Sequence, residues 1–453
     1  MKVHFIAIGG SAMHNLAIAL HLKGYQVSGS DDEVFEPSRG RLNKYGLLPE
    51  ENGWYPEKIN QNLDFVVLGM HARKDNPELL KAQELGLKVL SYPGFLYEQS
   101  KYKTRVVIAG SHGKTTITAM ILHVLHYLER DCDFMVGAQL EGFETMVKLT
   151  EHNEFMLLEG DEYLSSPLDP RPKFVHYRPN IALISGIAWD HINVFSTYEN
   201  YLEQFDLLLE VIEHGGVVIY NETDPEVVKV VDRTKNEVKK FPYSLPEYRV
   251  ENNVTLLETP EGEIPLEIFG KHNMNNLEGA RWICNQMGVT DTDFYEAIAS
   301  FKGASRRLEP LLEREGLIAF RDFAHAPSKV KATVEAVKEA YPDHHVLACL
   351  ELHTFSSLNI RFIDQYQGSL QAADEALVYF NPEVVAHKKL TPLDATKVTL
   401  AFGNPSHLSV FQNNKELLKR IKEAHKKPCV VLIMSSGSFD GINWKKELME
   451  VSN

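Results

Sequence analysis

The stretch that decides the fold is Val106-Val-Ile-Ala-Gly-Ser-His-Gly-Lys-Thr-Thr116. Its first residues, Val106 to Ala109, are apolar and mostly β-branched, which predicts a short buried strand. From Thr116 to Leu128 the apolar residues recur with helical spacing, so we expect a helix there. Between the two lies a loop, Gly110 to Gly113, whose glycines have no Cβ and let an anion approach the backbone closely.

This order of strand, glycine loop, Lys-Thr and helix is typical of sites that hold nucleotide phosphates. Backbone N–H groups and the positive helix N-terminus face the phosphates, Lys114 reaches the β- and γ-phosphate oxygens, and Thr115 can offer its hydroxyl to Mg²⁺. The loop is two residues shorter than the common G-x-x-x-x-G-K-[S/T] form. An ordinary strand-to-helix turn is the alternative, but the flanking strand and helix favour nucleotide binding.

The length and composition predict a globular protein of several domains. At 453 residues the chain is too long for one ordinary core, and roughly three domains are expected. No apolar stretch reaches the length of a membrane span, and the first residues lack the features of a signal peptide. The chain has four cysteines that form no CxxC pair, namely Cys132, Cys284, Cys349 and Cys429. Neither a structural zinc site nor a disulfide framework is therefore expected, and the chain is predicted to be cytoplasmic.

The net charge of −15 argues against a nucleic-acid partner, which would require a basic face. Nucleotide substrates need only local positive charge. Lys114, Arg306 and Arg307 can supply it, together with magnesium.

Residues 1 to about 100 are predicted to form a nucleotide-binding α/β unit. A strand from Val3 to Ile8 leads into a glycine turn and a helix, and a second strand, Tyr25 to Gly29, is followed by Asp31. The turn departs from G-x-G-x-x-G, so it predicts a related phosphate turn and is not firm evidence for NAD. His71 follows the strand Phe65 to Gly69, at the sheet edge where open α/β sheets bind ligands. The candidate binding residues are Gly9, Gly10, Ser11, Asp31 and His71.

The next strand after the phosphate loop, Glu154 to Leu158, delivers Glu159-Gly-Asp-Glu162 at its C-terminal end. Carboxylates at a strand end beside a phosphate loop are suitable Mg²⁺ ligands, although a solvated acidic turn remains an alternative. A strand from Ile181 to Ile184 leads to Asp190-His191, which by itself could be a helix cap and a surface histidine.

After residues 301–309 the α/β pattern starts again. It predicts strands over 317–322, 346–350, 375–380 and 428–434, and helices over 328–340 and 363–373. Three successive α/β units result, with no internal sequence repeat.

Taken together, several motifs resemble those of the Mur ligases, ATP-dependent enzymes of peptidoglycan synthesis. In chain order these are Gly110-Ser-His-Gly-Lys-Thr-Thr116, Glu159, Asp190-His191, Gly270-Lys-His-Asn-Met-Asn-Asn276, Arg306-Arg307-Leu-Glu309 and Asp322-Phe-Ala-His325. The resemblance covers essentially the whole chain. It implies an α/β fold of three domains: a Rossmann-like UDP-substrate domain over 1–103, a central P-loop ATPase domain over 104–304 and a Rossmann-like ligase domain over 305–453.

The resemblance also implies a role for each matching residue. ATP would contact Gly110, Ser111, His112, Gly113, Lys114, Thr115, Thr116, His272, Asn273, Asn276, Arg307 and Asp322. Lys114, Glu159 and His191 would be catalytic, and Thr115, Glu159 and His191 would hold Mg²⁺, although histidine is an unusual magnesium ligand. The UDP-substrate would bind at Gly9, Gly10, Ser11, Asp31 and His71, and the incoming amine at His325, His353 and Ser356. ATP would lie between the second and third domains.

Within the family, two stretches resemble the murein peptide ligase branch, which joins UDP-N-acetylmuramate to the recycled tripeptide L-alanyl-γ-D-glutamyl-meso-diaminopimelate. They are Asp31 to Pro37 and Lys173 to Tyr177. The L-alanine-adding branch is the alternative. Two departures matter: the usual His-His-Pro is His325-Ala-Pro327 here, and Phe205 stands where several Mur ligases carry a carbamylated lysine.

Two further hypotheses remain open at this point. One is a regulator that binds ATP and a UDP-sugar without turnover, although Lys114, Glu159 and His191 are all present. The other is a folylpolyglutamate-type ligase, which the α/β unit preceding the phosphate loop argues against. The oligomeric state does not follow from the sequence.

Overall fold

A computed structural model of the chain describes residues 1–70, 72–140, 142–189, 192, 194–304, 307–424 and 428–450. The chain divides into two compact units. The first comprises Met1–Ile187, Leu202–Tyr243 and Gly279–Thr290, and the second comprises Ala188–Tyr201, Ser244–Glu278 and Asp291–Asn453.

The first hundred residues form a four-stranded parallel sheet in the first unit. Its strands are β1 (Lys2–Ile6), β2 (Gln26–Ser30), β3 (Phe65–Leu68) and β4 (Val89–Ser91), in the order β2-β1-β3-β4. The helices are α1 (Ser11–Leu22), α2 (Ser38–Lys44), α3 (Pro77–Glu84) and α4 (Tyr92–Ser100), with a 3-10 helix at Pro56–Lys58. Helix α1 begins directly after the Gly9-Gly10 turn, so the turn meets a helix N-terminus.

A seven-stranded sheet forms the rest of the first unit, with the order β13-β12-β11-β5-β8-β6-β7. The strands of this region are β5 (Thr104–Ala109), β6 (Asp133–Met135), β7 (Val147–Lys148), β8 (Phe155–Glu159), β9 (Leu164–Ser166), β10 (Asp169–Pro172), β11 (Ile181–Ile184), β12 (Val217–Asn221) and β13 (Lys239–Tyr243). The β9 and β10 strands pair with each other in a separate hairpin. The helices are α5 (Lys114–Tyr127), α6 (Lys173–Tyr177), α7 (Tyr198–Glu210) and α8 (Pro225–Arg233).

Strand β5 lies in the middle of this sheet, between β8 and β11, and both pairings are parallel. Residues 105–109 of the strand are all buried. A central parallel strand is covered on both faces, which explains its continuous run of apolar residues. The phosphate loop therefore begins at the end of a buried central strand.

The second unit contains a three-stranded antiparallel sheet and a six-stranded sheet. The first is formed by β14 (Tyr248–Glu251), β15 (Val254–Thr259) and β16 (Gly262–Leu266). The helices α9 (Lys271–Gln286) and α10 (Asp291–Ile298) follow along the chain, and the part of α9 from Gly279 onward belongs to the first unit. The second sheet has the order β17-β18-β22-β19-β20-β21 and is parallel except for the β17–β18 pair.

The six-stranded sheet is built from β17 (Glu309–Arg314), β18 (Leu317–Asp322), β19 (His345–Glu351), β20 (Glu375–Tyr379), β21 (Leu408–Phe411) and β22 (Cys429–Met434). Its helices are α11 (Pro327–Ala340), α12 (Pro382–His387), α13 (Ala395–Ala401), α14 (Asn414–Ala424) and α15 (Trp444–Met449). Strand β22 lies between β18 and β19, so the loops that follow these three strands meet at one edge of the sheet.

The predicted α/β fold with several parallel sheets is confirmed. One predicted element is wrong: residues 363–373 form no continuous α-helix. Only Ile363–Tyr366 are helical, as a 3-10 helix, and turns and bends follow to residue 374. Gly368 has a φ of 74°, in the left-handed region, which ends the helical path. Leu370 and Ala373 are nevertheless buried in the core, and their burial accounts for the apolar pattern.

The division into domains 1–103, 104–304 and 305–453 stays a prediction. Among the helices formed by the described residues, none combines the length and the apolar character needed to cross a membrane.

Candidate active site

The phosphate loop connects β5 to α5 as predicted. Gly110 has a φ of 131° and Gly113, which precedes the helix, a φ of 81°. Both values lie in the left-handed region that favours glycine. A Cβ on Gly110 would also collide with Ser185 Oγ. The loop therefore requires glycine at both ends, and it presents the backbone N–H groups at the start of α5, which is a favourable site for an anion.

Lys114 is held inside this loop by hydrogen bonds. Its Nζ donates to Gly110 O over 2.7 Å and to Glu162 Oε2 over 2.9 Å. Burial opposes the charge on the ammonium, but the carboxylates of Glu162 and Asp161 outweigh burial and raise the pKa of Lys114 well above its usual value. Lys114 is thus a permanent cation at the end of the loop.

Glu159 and Thr115, two of the predicted magnesium ligands, lie in direct contact. Glu159 is the last residue of β8, and its Oε1 accepts a hydrogen bond of 2.7 Å from Thr115 Oγ1. Its Oε2 accepts one of 2.7 Å from Gly137 N. Burial, followed by the neighbouring Asp161, raises the pKa of Glu159, while its hydrogen-bond donors and Lys114 act in the opposite direction.

These two side chains suit Mg²⁺ in their chemistry, because a carboxylate and a hydroxyl are the hard oxygen ligands that this ion prefers. Within the described ranges, no group of three or more His, Cys, Asp or Glu side chains is arranged to hold a metal. His191, the third predicted ligand, and Asp190 beside it lie outside the described residues.

A cavity of about 840 Å³ opens beside the glycine turn of the first sheet. Four of the predicted UDP-substrate residues line it, namely Gly9, Gly10, Ser11 and Asp31. Gly9 N donates to Asp31 Oδ2 over 2.7 Å, and a Cβ on Gly9 would lie 2.9 Å from the same oxygen, so only glycine fits this contact. His71 lies outside the described residues.

The second set of predicted ATP contacts belongs to the second unit. Asn273 and Asn276 lie buried in the first turns of α9, and Asn273 Nδ2 donates to Phe269 O over 2.9 Å. His272 lines a cavity of about 420 Å³ with Tyr248 and Lys271, among others.

The remaining predicted ATP contacts are Arg307, which precedes strand β17 of the six-stranded sheet, and Asp322, the last residue of strand β18. The guanidinium of Arg307 is 5.3 Å from the centre of the Phe323 ring. Asp322 is buried, and its two oxygens accept hydrogen bonds from Leu308 N and Ala324 N, at 2.7 and 2.6 Å. Burial raises the pKa of Asp322, and Arg307 is the strongest opposing influence. These backbone contacts fix the orientation of the carboxylate.

The predicted residues for the amine lie on the loops that follow β18 and β19. His353 Nδ1 is 3.6 Å from Glu351 Oε1, and Glu351 is buried at the end of β19. Glu351 Oε2 accepts hydrogen bonds from Ser435 Oγ and from Phe439 N. Elsewhere on these loops Ser356 is buried, and His325 Nδ1 lies 2.8 Å from Phe323 O.

Two family profiles match much of the first 283 residues. The profile described as "Mur ligase family, catalytic domain" matches residues 2–104, and "Mur ligase middle domain" matches residues 108–283. A UDP-N-acetylmuramate–L-alanine ligase from Sulfurihydrogenibium sp. (strain YO3AOP1) is 30% identical over 451 residues, covering 96% of this chain and 95% of that protein. The chain belongs to the Mur ligase family.

Further similarities to Mur ligases extend over the whole chain. The UDP-N-acetylmuramate–L-alanyl-γ-D-glutamyl-meso-2,6-diaminoheptandioate ligase of Escherichia coli (strain K12) is 27% identical over 460 residues, covering 98% of this chain and 97% of that protein. The crystal structure of a murein peptide ligase from Psychrobacter arcticus 273-4 has the same fold, with a TM-score of 0.66 and 23% identity. The match covers 100% of this chain and 99% of that chain. The resemblance to Mur ligases seen in the sequence is confirmed by these profiles and relatives. Mur ligases are ATP-dependent enzymes that form a C–N bond.

Several residues that lie beside the predicted site residues were not assigned from the sequence. Glu162 belongs to the acidic stretch that predicted Mg²⁺ ligands, but the sequence did not indicate its contact with Lys114. Glu351 was also missed, although it ends a buried strand and is followed closely by His353. Other residues that line the 840 Å³ cavity come from parts of the sequence that carried no signal for it; they are Trp54, Arg73, Tyr92 and Ser165. Phe35 and Lys173 also line it, and they belong to the two stretches that resemble the murein peptide ligase branch.

The pKa of Asp31 is raised above its ordinary value in this Mur ligase. Burial, with a further contribution from Asp32, raises its pKa from 3.8 to about 6, and the Gly9 N–H acts in the opposite direction. Between pH 3.8 and about pH 6, Asp31 binds more protons in the folded protein than in the unfolded chain. The contribution of Asp31 to the free energy of unfolding therefore falls as pH rises through this range.

We expect Asp31→Asn to remove this part of the pH dependence. The amide oxygen can still accept the hydrogen bond from Gly9 N, but the side chain no longer ionises. Thermal unfolding of both proteins from about pH 4 to pH 7 should show the variant gaining stability relative to the wild type as pH rises. Parallel curves across this range would contradict the assignment.

Proposed function

We propose that this Mur ligase joins UDP-N-acetylmuramate to the tripeptide L-alanyl-γ-D-glutamyl-meso-diaminopimelate in peptidoglycan recycling. The observation that carries the proposal is the pairing, within the first unit, of a phosphate loop with a large cavity at a glycine turn. The loop holds Lys114 beside Glu162, and the cavity is lined by Gly9, Ser11 and Asp31. The phosphate loop suits ATP, and the cavity suits a nucleotide-linked acceptor.

The chemistry needs activation of a carboxylate, because oxide is a poor leaving group. We propose that the acceptor carboxylate attacks the γ-phosphorus of ATP, which gives an acyl phosphate and ADP. The amine then attacks the carbonyl carbon through a tetrahedral intermediate and expels phosphate. Lys114 would stabilise the negative charge on the transferred phosphoryl group, which is the role expected of a preorganised cation.

Thr115 and Glu159 would hold Mg²⁺, and His191 is proposed as a further ligand. A bound magnesium ion neutralises charge between two anionic reactants. Burial and the hydrogen bonds from Gly137 N and Thr115 hold the Glu159 carboxylate in one orientation, so the ligand is preorganised.

In the second unit, the residues proposed for adenosine are His272, Asn273, Asn276 and Asp322, and Arg307 is proposed for the γ-phosphate. Amide and carboxylate oxygens accept hydrogen bonds in fixed geometry, which suits base edges and sugar hydroxyls. The fixed carboxylate of Asp322 supports this role.

For the amine we propose the edge of the six-stranded sheet at which β18, β19 and β22 end. His353 is partly exposed there, with the buried Glu351 beside its Nδ1. A tripeptide carries several carboxylates and needs hydrogen-bond donors, which His325, His353 and Ser356 can provide. Thr354 and Ser357 are hydrogen-bonded to each other, so we assign them to the structure of the loop.

L-Alanine is the second candidate for the amine. The Sulfurihydrogenibium relative, at 30% identity, is named as an L-alanine ligase, whereas the E. coli relative named for the tripeptide is 27% identical. The tripeptide is supported by the stretches Asp31 to Pro37 and Lys173 to Tyr177, which border the cavity at Asp31 and Lys173.

Competition between the two amines tests this choice. With ATP, Mg²⁺, UDP-N-acetylmuramate and equal concentrations of tripeptide and L-alanine, we expect the product identified by mass to be the tripeptide adduct. Exclusive formation of the alanine adduct would overturn the choice of amine and leave the family assignment standing. Phosphate release that needs neither amine would count against ligation altogether.

A further inference from the structure

Lys173 is a cation of the 840 Å³ cavity that also touches the acidic residues following β8. It is the first residue of α6 and lines the cavity together with Ser11 and Asp31. Its side chain is only 13% exposed, and its Nζ lies 3.0 Å from Asp161 Oδ2. The same Nζ is 4.2 Å from the centre of the Tyr163 ring. Its position is therefore defined by an ion pair and an aromatic face.

Two consecutive carboxylates, Asp161 and Glu162, connect this lysine to the phosphate loop. Asp161 Oδ2 lies 3.0 Å from Lys173 Nζ, and Glu162 Oε2 accepts a hydrogen bond of 2.9 Å from Lys114 Nζ. Adjacent residues of one segment therefore pair with the lysine of the cavity and with the lysine of the phosphate loop.

The other cation that lines the cavity among the described residues is Arg73, which differs in its surroundings. Its side chain is 82% exposed and makes a bidentate pair with Asp75, at 2.8 and 2.7 Å. An exposed, paired arginine contributes little selectivity, because water and salt screen it. Lys173 keeps donors for a ligand, since an ammonium has three N–H groups and Asp161 uses one.

A UDP-muramate substrate carries two kinds of anion. Its diphosphate is suited to the glycine turn and the N-terminus of α1, at Ser11. Its lactyl carboxylate is the group to be phosphorylated, so it must approach the phosphate loop. Of the two cations, Lys173 is the one connected to Lys114 through the adjacent residues Asp161 and Glu162, and it is the more buried.

We propose that Lys173 binds the lactyl carboxylate of the acceptor and determines the preference for a UDP-sugar that carries this carboxylate. The inference rests on the proposed function, because it assumes a UDP-muramate acceptor. It adds a specificity-determining residue to the cavity and gives a role to the stretch Lys173 to Tyr177.

The test compares the binding of two nucleotides to the full chain by calorimetry: UDP-N-acetylmuramate and UDP-N-acetylglucosamine, which lacks the lactyl group. In Lys173→Met we expect the affinity for UDP-N-acetylmuramate to fall about ten- to a hundredfold, as for loss of a hydrogen bond to a charged group. The affinity for UDP-N-acetylglucosamine should stay unchanged. Lys173→Arg should recover part of the difference, and Arg171→Gln, a nearby exposed cation paired with Asp169, should bind as the wild type does.

Removing Lys173 also deprives the partly buried Asp161 of a partner, which can destabilise the fold. The double variant Asp161→Asn/Lys173→Met removes both charges and should show the same selective loss. An equal loss for both nucleotides, no loss for either, or a wild type without preference would overturn the inference. A wild type that binds neither nucleotide would instead contradict the proposed function.

Discussion

Lys114→Ala should lower the rate of phosphate release from ATP by about 10²- to 10³-fold, as is typical when a preorganised charge-stabilising group is removed. The structure gives the reason: Lys114 lies at the end of the glycine loop, is permanently charged, and is hydrogen-bonded to Gly110 O and Glu162. Its charge is in place before the phosphoryl group develops negative charge. The measurement is phosphate release at saturating UDP-N-acetylmuramate and amine.

The matched control is Lys148→Met, because Lys148 is an ion-paired lysine of the same sheet whose partner is the exposed Asp131. We expect it to retain full activity. Lys114→Ala also removes a partner of the buried Glu162. Thermal unfolding of Lys114→Ala and of the double variant Lys114→Ala/Glu162→Gln therefore distinguishes a loss of catalysis from a loss of stability. Near-wild-type phosphate release by a folded Lys114→Ala protein would contradict the role of this lysine.

Glu159→Gln should raise the Mg²⁺ concentration needed for activity by about tenfold or more, since Mg²⁺ prefers charged oxygen ligands. The amide keeps an oxygen that can accept from Thr115 Oγ1 or Gly137 N, so the local fold should persist. UDP-substrate binding should change much less, because Glu159 is not among the residues that line the 840 Å³ cavity.

Magnesium titrations of activity and calorimetry with the UDP-substrate measure the two effects separately. Glu154→Gln is the control, because Glu154 is an exposed carboxylate that immediately precedes the same strand. If the magnesium titration of Glu159→Gln coincides with that of the wild type, Glu159 does not bind the metal.

The phosphate loop could be predicted from sequence because its signals are local. The buried strand, the positive-φ glycines and the helix all lie within a short stretch, and the observed strand Thr104–Ala109 and helix Lys114–Tyr127 differ from the expected ones by only a few residues at their ends. The position of Glu159 beside the loop could be predicted for the same reason, since it ends a buried strand, and its role as a metal ligand stays a prediction. The resemblance to Mur ligases then added residues whose individual signals were weak.

Other features depended on context that a single sequence does not carry. The helix expected over 363–373 fails because Gly368 turns the chain while the apolar residues around it remain buried. The hairpin of β14 and β15 was missed, although its turn residues, Asn252 and Asn253, both have positive φ, and asparagine tolerates this conformation well. Lys173 reaches the cavity of the first sheet through tertiary packing alone.

The central claim is that the carboxylate of UDP-N-acetylmuramate is phosphorylated by ATP before the amine attacks. The most direct measurement uses UDP-N-acetylmuramate labelled with ¹⁸O in its carboxylate, with unlabelled ATP, Mg²⁺ and the amine. One carboxylate oxygen becomes the bridge to phosphorus and leaves with the phosphate, while the other stays in the amide. We predict that mass analysis finds one ¹⁸O in each phosphate released, and turnover with entirely unlabelled phosphate would contradict the account.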